Sequence, residues 1–314
     1  MVLRPRRRRR SVVKRVLVAL SVLIPILVVG GMAILPSVIM GPMINGHVSF
    51  STVYEARDYG LEARELTLVT DDDYTISAFE VDVADPKAVI IFISGIHNPS
   101  VTAFFGHARV LADHGYASIL YDMRAHGKSE GEVVSLGYLE TRDTRAVVDY
   151  ILGQERYRGI PIVVFGLSMG GAVAINSAGQ VPEIDGVVSV SAYSSWEDVF
   201  YDSMLDMGLP RFVATMQKPF VKLYSLIRFG WDTRNNYPSA QVTNLGDRPA
   251  LVMHSEDDSQ VPFANFLRIM EQAPSHVQAW TRPGDEHFFT SDFLHPENDP
   301  EYLEAILRFL EDNF

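Results

Sequence analysis

Pro161-Ile-Val-Val-Phe-Gly-Leu-Ser-Met-Gly-Gly-Ala-Val-Ala174 joins two kinds of pattern with no spacer between them. Residues 162–165 form a short, unbroken apolar run, as expected of a strand buried on both faces. Residues 169–174 open a helical stretch whose first positions are small enough to pack close to that strand. Between them stands Ser168, in Gly166-Leu-Ser168-Met-Gly170. A chain that passes from buried strand to helix at one serine must turn sharply there, and flanking glycines relieve the crowding. The turn lifts the hydroxyl off the sheet edge, where a nucleophile is needed.

Working outward, residues 88–93 (AVIIFI), 117–121 (ASILY), 186–190 (GVVSV), 249–254 (PALVMH) and 277–281 (VQAWT) are further strand-like runs. Helical stretches fall near 101–114, 136–152, 262–272 and 301–310. Continuous apolar strands alternating with helices predict an α/β fold, with a mostly parallel central sheet and helices on both faces. Residues 65–70 and 74–83 alternate strictly about Asp71-Asp72-Asp73 and predict an antiparallel hairpin. One segment breaks the layering. Residues 194–237 are rich in aromatic, Met and Leu side chains at helical spacing, including Trp196, Phe200, Met204, Phe212, Met216 and Phe220. They read as a helical lid over Ser168 or as additional core, and their position directly after a strand favours the lid.

Gly-x-Ser-x-Gly occurs twice, and about one chain in ten of this length carries it by chance, so the pattern alone decides nothing. The second copy, Gly127-Lys-Ser129-Glu-Gly131, lies in a polar loop several residues past its strand, where Ser129 serves to close a turn. A serine hydroxyl at neutral pH needs a base to take its proton and an acid to orient that base. Asp258 follows the strand run 249–254, and His287 follows the run 277–281, so both fall on the sheet edge that carries Ser168. Asp257 is the alternative acid, because sequence does not say which of two adjacent carboxylates points inward. His254 reads as structural, and Arg124 and His126 as braces of their own loop. His97 and His107 follow no ligand spacing such as H-E-x-x-H; no metal and no cofactor is expected.

These residues together resemble the esterase and peptidase-like branches of the α/β-hydrolase superfamily. The resemblance rests on Asp122-x-Arg124-x-x-Gly127-x-Ser129-x-Gly131, the turn at Ser168, Asp258 three residues before Val261-Pro262, and Gly284-x-x-His287, and covers residues 61–314. Ser255 stands where the acid motif usually has glycine, and Ser94-Gly95-Ile96 where the family usually reads His-Gly-x. The resemblance implies an α/β-hydrolase fold, a Ser168–Asp258–His287 triad, and an oxyanion hole formed by the backbone N–H groups of Ile96 and Met169. It implies acyl transfer from an ester-like substrate to water. A peptidase or an acyltransferase would use the same triad, and a non-catalytic tethered binding module is the rival outside enzymes.

The amino-terminal end has a different character. Of the 27 bases, eight fall in the first fifteen residues, which leaves 19 against 39 acids, a net charge of -20, for the remainder. So acidic a body repels nucleic-acid phosphates. Residues 16–35 carry no charge, and as a helix they span about 30 Å, the thickness of a bilayer core. They read as a transmembrane anchor behind a basic cytoplasmic tail, residues 1–15, with the hydrolase domain on the far side of the membrane. Residues 36–60, with two prolines and three glycines, read as a connector. A cleaved secretory signal is the alternative, though residues 35–51 offer no good A-x-A-like site. A small or lipid-like acyl substrate and a membrane are therefore the expected partners.

Overall fold

In the computed structural model the described residues are 7–97 and 99–314; residues 1–6 of the basic tail lie outside them. Eight strands form one sheet: β1 (Arg64–Val69), β2 (Thr75–Val81), β3 (Val89–Ile93), β4 (Ala117–Tyr121), β5 (Ile162–Leu167), β6 (Gly186–Val190), β7 (Ala250–Ser255) and β8 (Gln278–Arg282). Their order is β1-β2-β4-β3-β5-β6-β7-β8. β1 and β2 form the antiparallel hairpin, β2 meets β4 antiparallel, and every later pair is parallel. Strand order reverses at β3, which lies between β4 and β5. That switch point opens a crevice at the carboxyl ends of β3 and β5, where ligands of open α/β sheets bind.

The helices are α1 (Arg7–Ile44), α2 (Phe105–Asp113), α3 (Thr141–Leu152), α4 (Met169–Gln180), α5 (Trp196–Asp206), α6 (Arg211–Phe229), α7 (Pro238–Gln241), α8 (Ala264–Gln272) and α9 (Pro300–Asn313). Alternate residues of each strand feed opposite faces. Ile91, Ile119, Val164 and Val252 join a core with α3, α4 and α8, whereas Ile90, Leu120, Val163 and Leu251 join a second core with α2 and α9. Burial on both faces explains why the parallel strands read as unbroken apolar runs.

Two sequence expectations are corrected. Helix α3 begins at Thr141, not 136, because Leu136 and Gly137 have positive φ (56° and 83°) and the buried Glu140 carboxylate accepts the N–H groups of Ser135 and Gly137 at 2.6 and 2.8 Å. Residues 36–44, read as connector, are instead the last turns of α1. Pro36 and Pro42 lie inside this helix. A proline leaves the carbonyl four residues earlier without its helical partner. For Pro36 that carbonyl is Met32 O, and the buried Gln217 side chain on α6 donates to it at 3.0 Å. Packing thus sustains a helix that composition alone argues against. Val12–Ile44 is a 33-residue span whose most apolar 18-residue window has a mean hydropathy of 2.7, long enough to cross a membrane.

Candidate active site

β5 hands directly to α4 at Ser168, whose backbone sits at φ 58°, ψ −119°, a region that disfavours side chains. Its N–H donates to Val190 O at 2.8 Å, which ties the turn to β6. The crowding that the sequence pattern implies is real. A Cβ on Gly166 would stand 2.0 Å from Gly170 O, and one on Gly170 would stand 2.3 Å from Ile93 O. The glycines let β5, α4 and β3 approach one another, and the strained residue is the serine itself.

The loops after β7 and β8 are zipped together. Asp257 accepts from Gly284 N at 3.1 Å, and Asp285 accepts from Ser259 N at 2.6 Å. Ser255, the departure from the family's glycine, donates its hydroxyl to Glu286 O at 2.6 Å. This lacing carries His287 to Asp258, with Nδ1 of the imidazole 2.8 Å from Oδ2 of the buried carboxylate. The other carboxylate oxygen accepts the N–H groups of Gln260 and Val261, both at 2.9 Å. Burial pushes the Asp258 carboxyl up, but the His287 hydrogen bond and charge together with these N–H groups outweigh it and hold the group below the usual range. Asp258 therefore stays ionised and fixes Nδ1–H toward itself, leaving Nε2 as the basic nitrogen. Asp257 is committed to Gly284. His254 is buried and spans to Val261 O at 2.8 Å, a structural role as read.

A Cβ on Gly95 would lie 3.5 Å from the Cβ of Ser168, so the loop after β3 passes directly beside this serine. Ile96 follows it. The sequence assigned His126 to its own loop, but the side chain reaches further: Nε2 lies 2.9 Å from Ile96 O and Nδ1 2.8 Å from Arg124 O. Burial pushes this imidazole down despite the two carbonyls, which favour its charged form. Arg124 anchors the brace, donating to Asp143 on α3 at 2.7 Å and to Asp72 in the β1–β2 turn at 2.8 Å. The loop that holds Ser129 thus supports the segment that holds Ile96. No local sequence signal links positions 126 and 96.

The family described as "Serine aminopeptidase, S33" matches residues 84–244, half of the chain. The chain belongs to this family of α/β-fold serine hydrolases. The matched region contains Ile96, Ser168 and the 194–237 insertion, while Asp258 and His287 lie beyond it. The hydrolase is 24% identical to the uncharacterized protein YqkD of Bacillus subtilis (strain 168), over 85% of this chain and 84% of that one. It is 34% identical to human monoglyceride lipase over 38% of this chain and 40% of the lipase. Among solved structures, an esterase of Pyrococcus furiosus, Pf2001, superposes with a TM-score of 0.63 at 22% identity, over 85% of this chain and 98% of the esterase. That likeness shows the fold.

In this hydrolase a cavity of about 550 Å³ brings Ser168, Met169, Ile96 and His287 to one surface. Its walls are apolar. The insertion supplies Trp196, Val199, Phe200 and Met204 of α5 to the lining. The unforeseen part of the lining is Leu35, Ile39 and Met43, all from α1. Among the described residues, no Asp, Glu, Lys or Arg lines this space.

Proposed function

We propose that this protein is a membrane-anchored serine esterase that hydrolyses neutral carboxylic esters or thioesters with an apolar acyl chain. The observation that carries the reading is the 2.8 Å bond between the buried Asp258 and His287, whose ring lines the same cavity as a serine held at positive φ. Ser168 Oγ attacks the carbonyl carbon while its proton passes to His287 Nε2, and the oxyanion is met by the N–H groups of Met169 and Ile96. The imidazolium returns the proton to the departing alcohol or thiol. Water, deprotonated by the same nitrogen, then releases the acid and restores Ser168.

The family's name suggests peptide substrates, yet holding a peptide amino terminus calls for a carboxylate. The uncharged walls of this cavity favour an acyl chain. The 194–237 segment acts as the lid. Helix α1 acts as a retained anchor, since Met40 and Ile44 are fully buried in the hydrolase core. Removing it as a secretory signal would open that core. The basic tail then remains cytoplasmic and the hydrolase domain lies outside.

A fluorophosphonate probe on membranes holding the full chain tests the nucleophile: labelling that persists in Ser168→Ala overturns it. p-Nitrophenyl esters of increasing chain length, set against aminoacyl p-nitroanilides, test the substrate class. Esters of medium or long chain are expected to be the better substrates, and faster cleavage of the anilides rejects the esterase reading. A topology reporter fused after Phe314 is expected to report from outside the cytoplasm.

A further inference from the structure

The surface beside the cavity is rich in exposed apolar side chains, with the exposed Asp206 and Arg211 at either end of the turn. Met207 and Leu209, in the turn between α5 and α6, line the cavity and are 74% and 37% exposed. Ile39 of α1 lines the same cavity and is 42% exposed. Next to this rim, α6 presents Phe212, Met216, Leu223 and Ile227 outward, at spacings of four, seven and four residues, which place them on one helical face. Phe212 is 67% and Ile227 71% exposed. The one exposed hydroxyl beside this stripe, on Thr215, is turned back onto Arg211 O at 2.9 Å.

The register of α6 against α1 says what covers this surface. Gln217 meets Met32, and eleven residues on, Arg228 meets Asn45. The two helices therefore run parallel. Extrapolating back from Gln217 at about 1.5 Å per residue, Phe212 stands level with residue 27 of α1, near the middle of the uncharged 16–35 stretch. When that stretch spans a bilayer, Phe212 lies about 12 Å inside its outer end at residue 35, so the α5–α6 turn and the first half of α6 run alongside the anchor within the hydrocarbon. Both sides of the cavity mouth then open among acyl chains.

We propose that the acyl substrate reaches Ser168 laterally from the bilayer, between α1 and the α5–α6 turn, and that Leu35, Ile39 and Met43 of the anchor form one wall of the acyl site. The anchor is thereby a specificity-determining element as well as a tether. The substrate class is an amphiphile resident in the membrane, its chain lying along α1 and its ester drawn up to the serine. This inference rests on the serine-hydrolase reading above.

The full chain in phosphatidylcholine vesicles tests it in two ways. It has no cysteine, so Phe212→Cys carries a single nitroxide. That label is expected to collide more with oxygen than with a water-soluble nickel chelate, as a label at Leu23→Cys on the anchor would, while one at Asp312→Cys reads as aqueous. A Phe212 label that reads as aqueous, or one shielded from both agents as in a dimer contact, overturns the immersion. Next, Ser168 is labelled either by a short water-soluble fluorophosphonate or by a hexadecyl fluorophosphonate dissolved in the vesicles. Phe212→Asp with Met216→Asp is expected to slow the hexadecyl probe at least tenfold and the soluble probe less than twofold. Equal rates for variant and parent with the hexadecyl probe overturn the lateral route. If neither probe labels Ser168 in the parent protein, the hydrolase reading itself falls, and the nitroxide result stands apart from that failure.

Discussion

The loops 127–131 and 166–170 carry the same spacing of glycine, serine and glycine, and their serines have opposite fates. In the first, Gly127 and Gly131 take the positive φ values (55° and 119°) while Ser129 does not. Ser129 is buried, donates to Asp122 O at 2.5 Å and accepts Ser77 N–H at 2.9 Å, so both capacities of its hydroxyl are spent on the backbone. In the second, the serine takes the positive φ and its glycines do not. Ser168 faces a cavity with His287. The comparison teaches that a short motif acquires chemistry from the elements that flank it. A strand that runs straight into a helix strains and exposes the serine, whereas a polar loop folds the same serine inward.

The largest effect expected from this contrast is in turnover. Ser168→Ala should lower kcat by about 10⁶-fold, leaving a cooperative melt, because it removes the bond-forming atom. Ser129→Ala should leave labelling of Ser168 intact, and equal losses in the two variants would break the contrast. Next in size, Asp258→Asn should cost about 10⁴-fold in kcat by destroying the tautomer that leaves Nε2 basic. Asp257→Asn should change kcat only a few-fold.

The remaining predictions concern the first loop. Burial pushes the Asp122 carboxyl up to about 6, against the N–H groups of Lys128 and Val101. The folded state then binds this proton more tightly than the unfolded chain. Stability from this group is greatest below pH 4, falls as pH rises to about 6, and is constant above, a total of up to about 3 kcal/mol. Denaturant titrations from pH 4 to 7 should show a shallower decline for Asp122→Asn than for the parent.

His126→Phe keeps the ring but frees Ile96 O, and a small displacement of an oxyanion donor should lower kcat by about ten- to a hundredfold with KM nearly unchanged. A rise in KM at constant kcat would instead mean that the ring shapes the pocket. Smallest, Ser129→Ala should lower stability by about 1–2 kcal/mol, through the Ser77 N–H left unpaired, with little change in kcat.

Much of the site is legible in local pattern. The strand before Ser168, the small residues after it, and acid and histidine at the ends of later strands each follow from a few neighbouring residues, since side-chain period and turn crowding are local properties. Adjacent carboxylates at 257 and 258 share every local cue. They were separated only by the loop after β8, which offers Gly284 N to one and His287 to the other.

The sequence by itself determined the α/β layering, the sharp turn at Ser168 and the order in which Asp258 and His287 follow it, because apolar periodicity and glycine placement encode them directly. Only the tertiary structure decided that His126 supports Ile96 and that the last turns of α1 line the cavity that holds Ser168 and His287. Leu35 and Ser168 are far apart along the chain, and nothing in either neighbourhood refers to the other. They line one cavity because α1 packs against α6, where Gln217 donates to the carbonyl that Pro36 leaves without a helical partner.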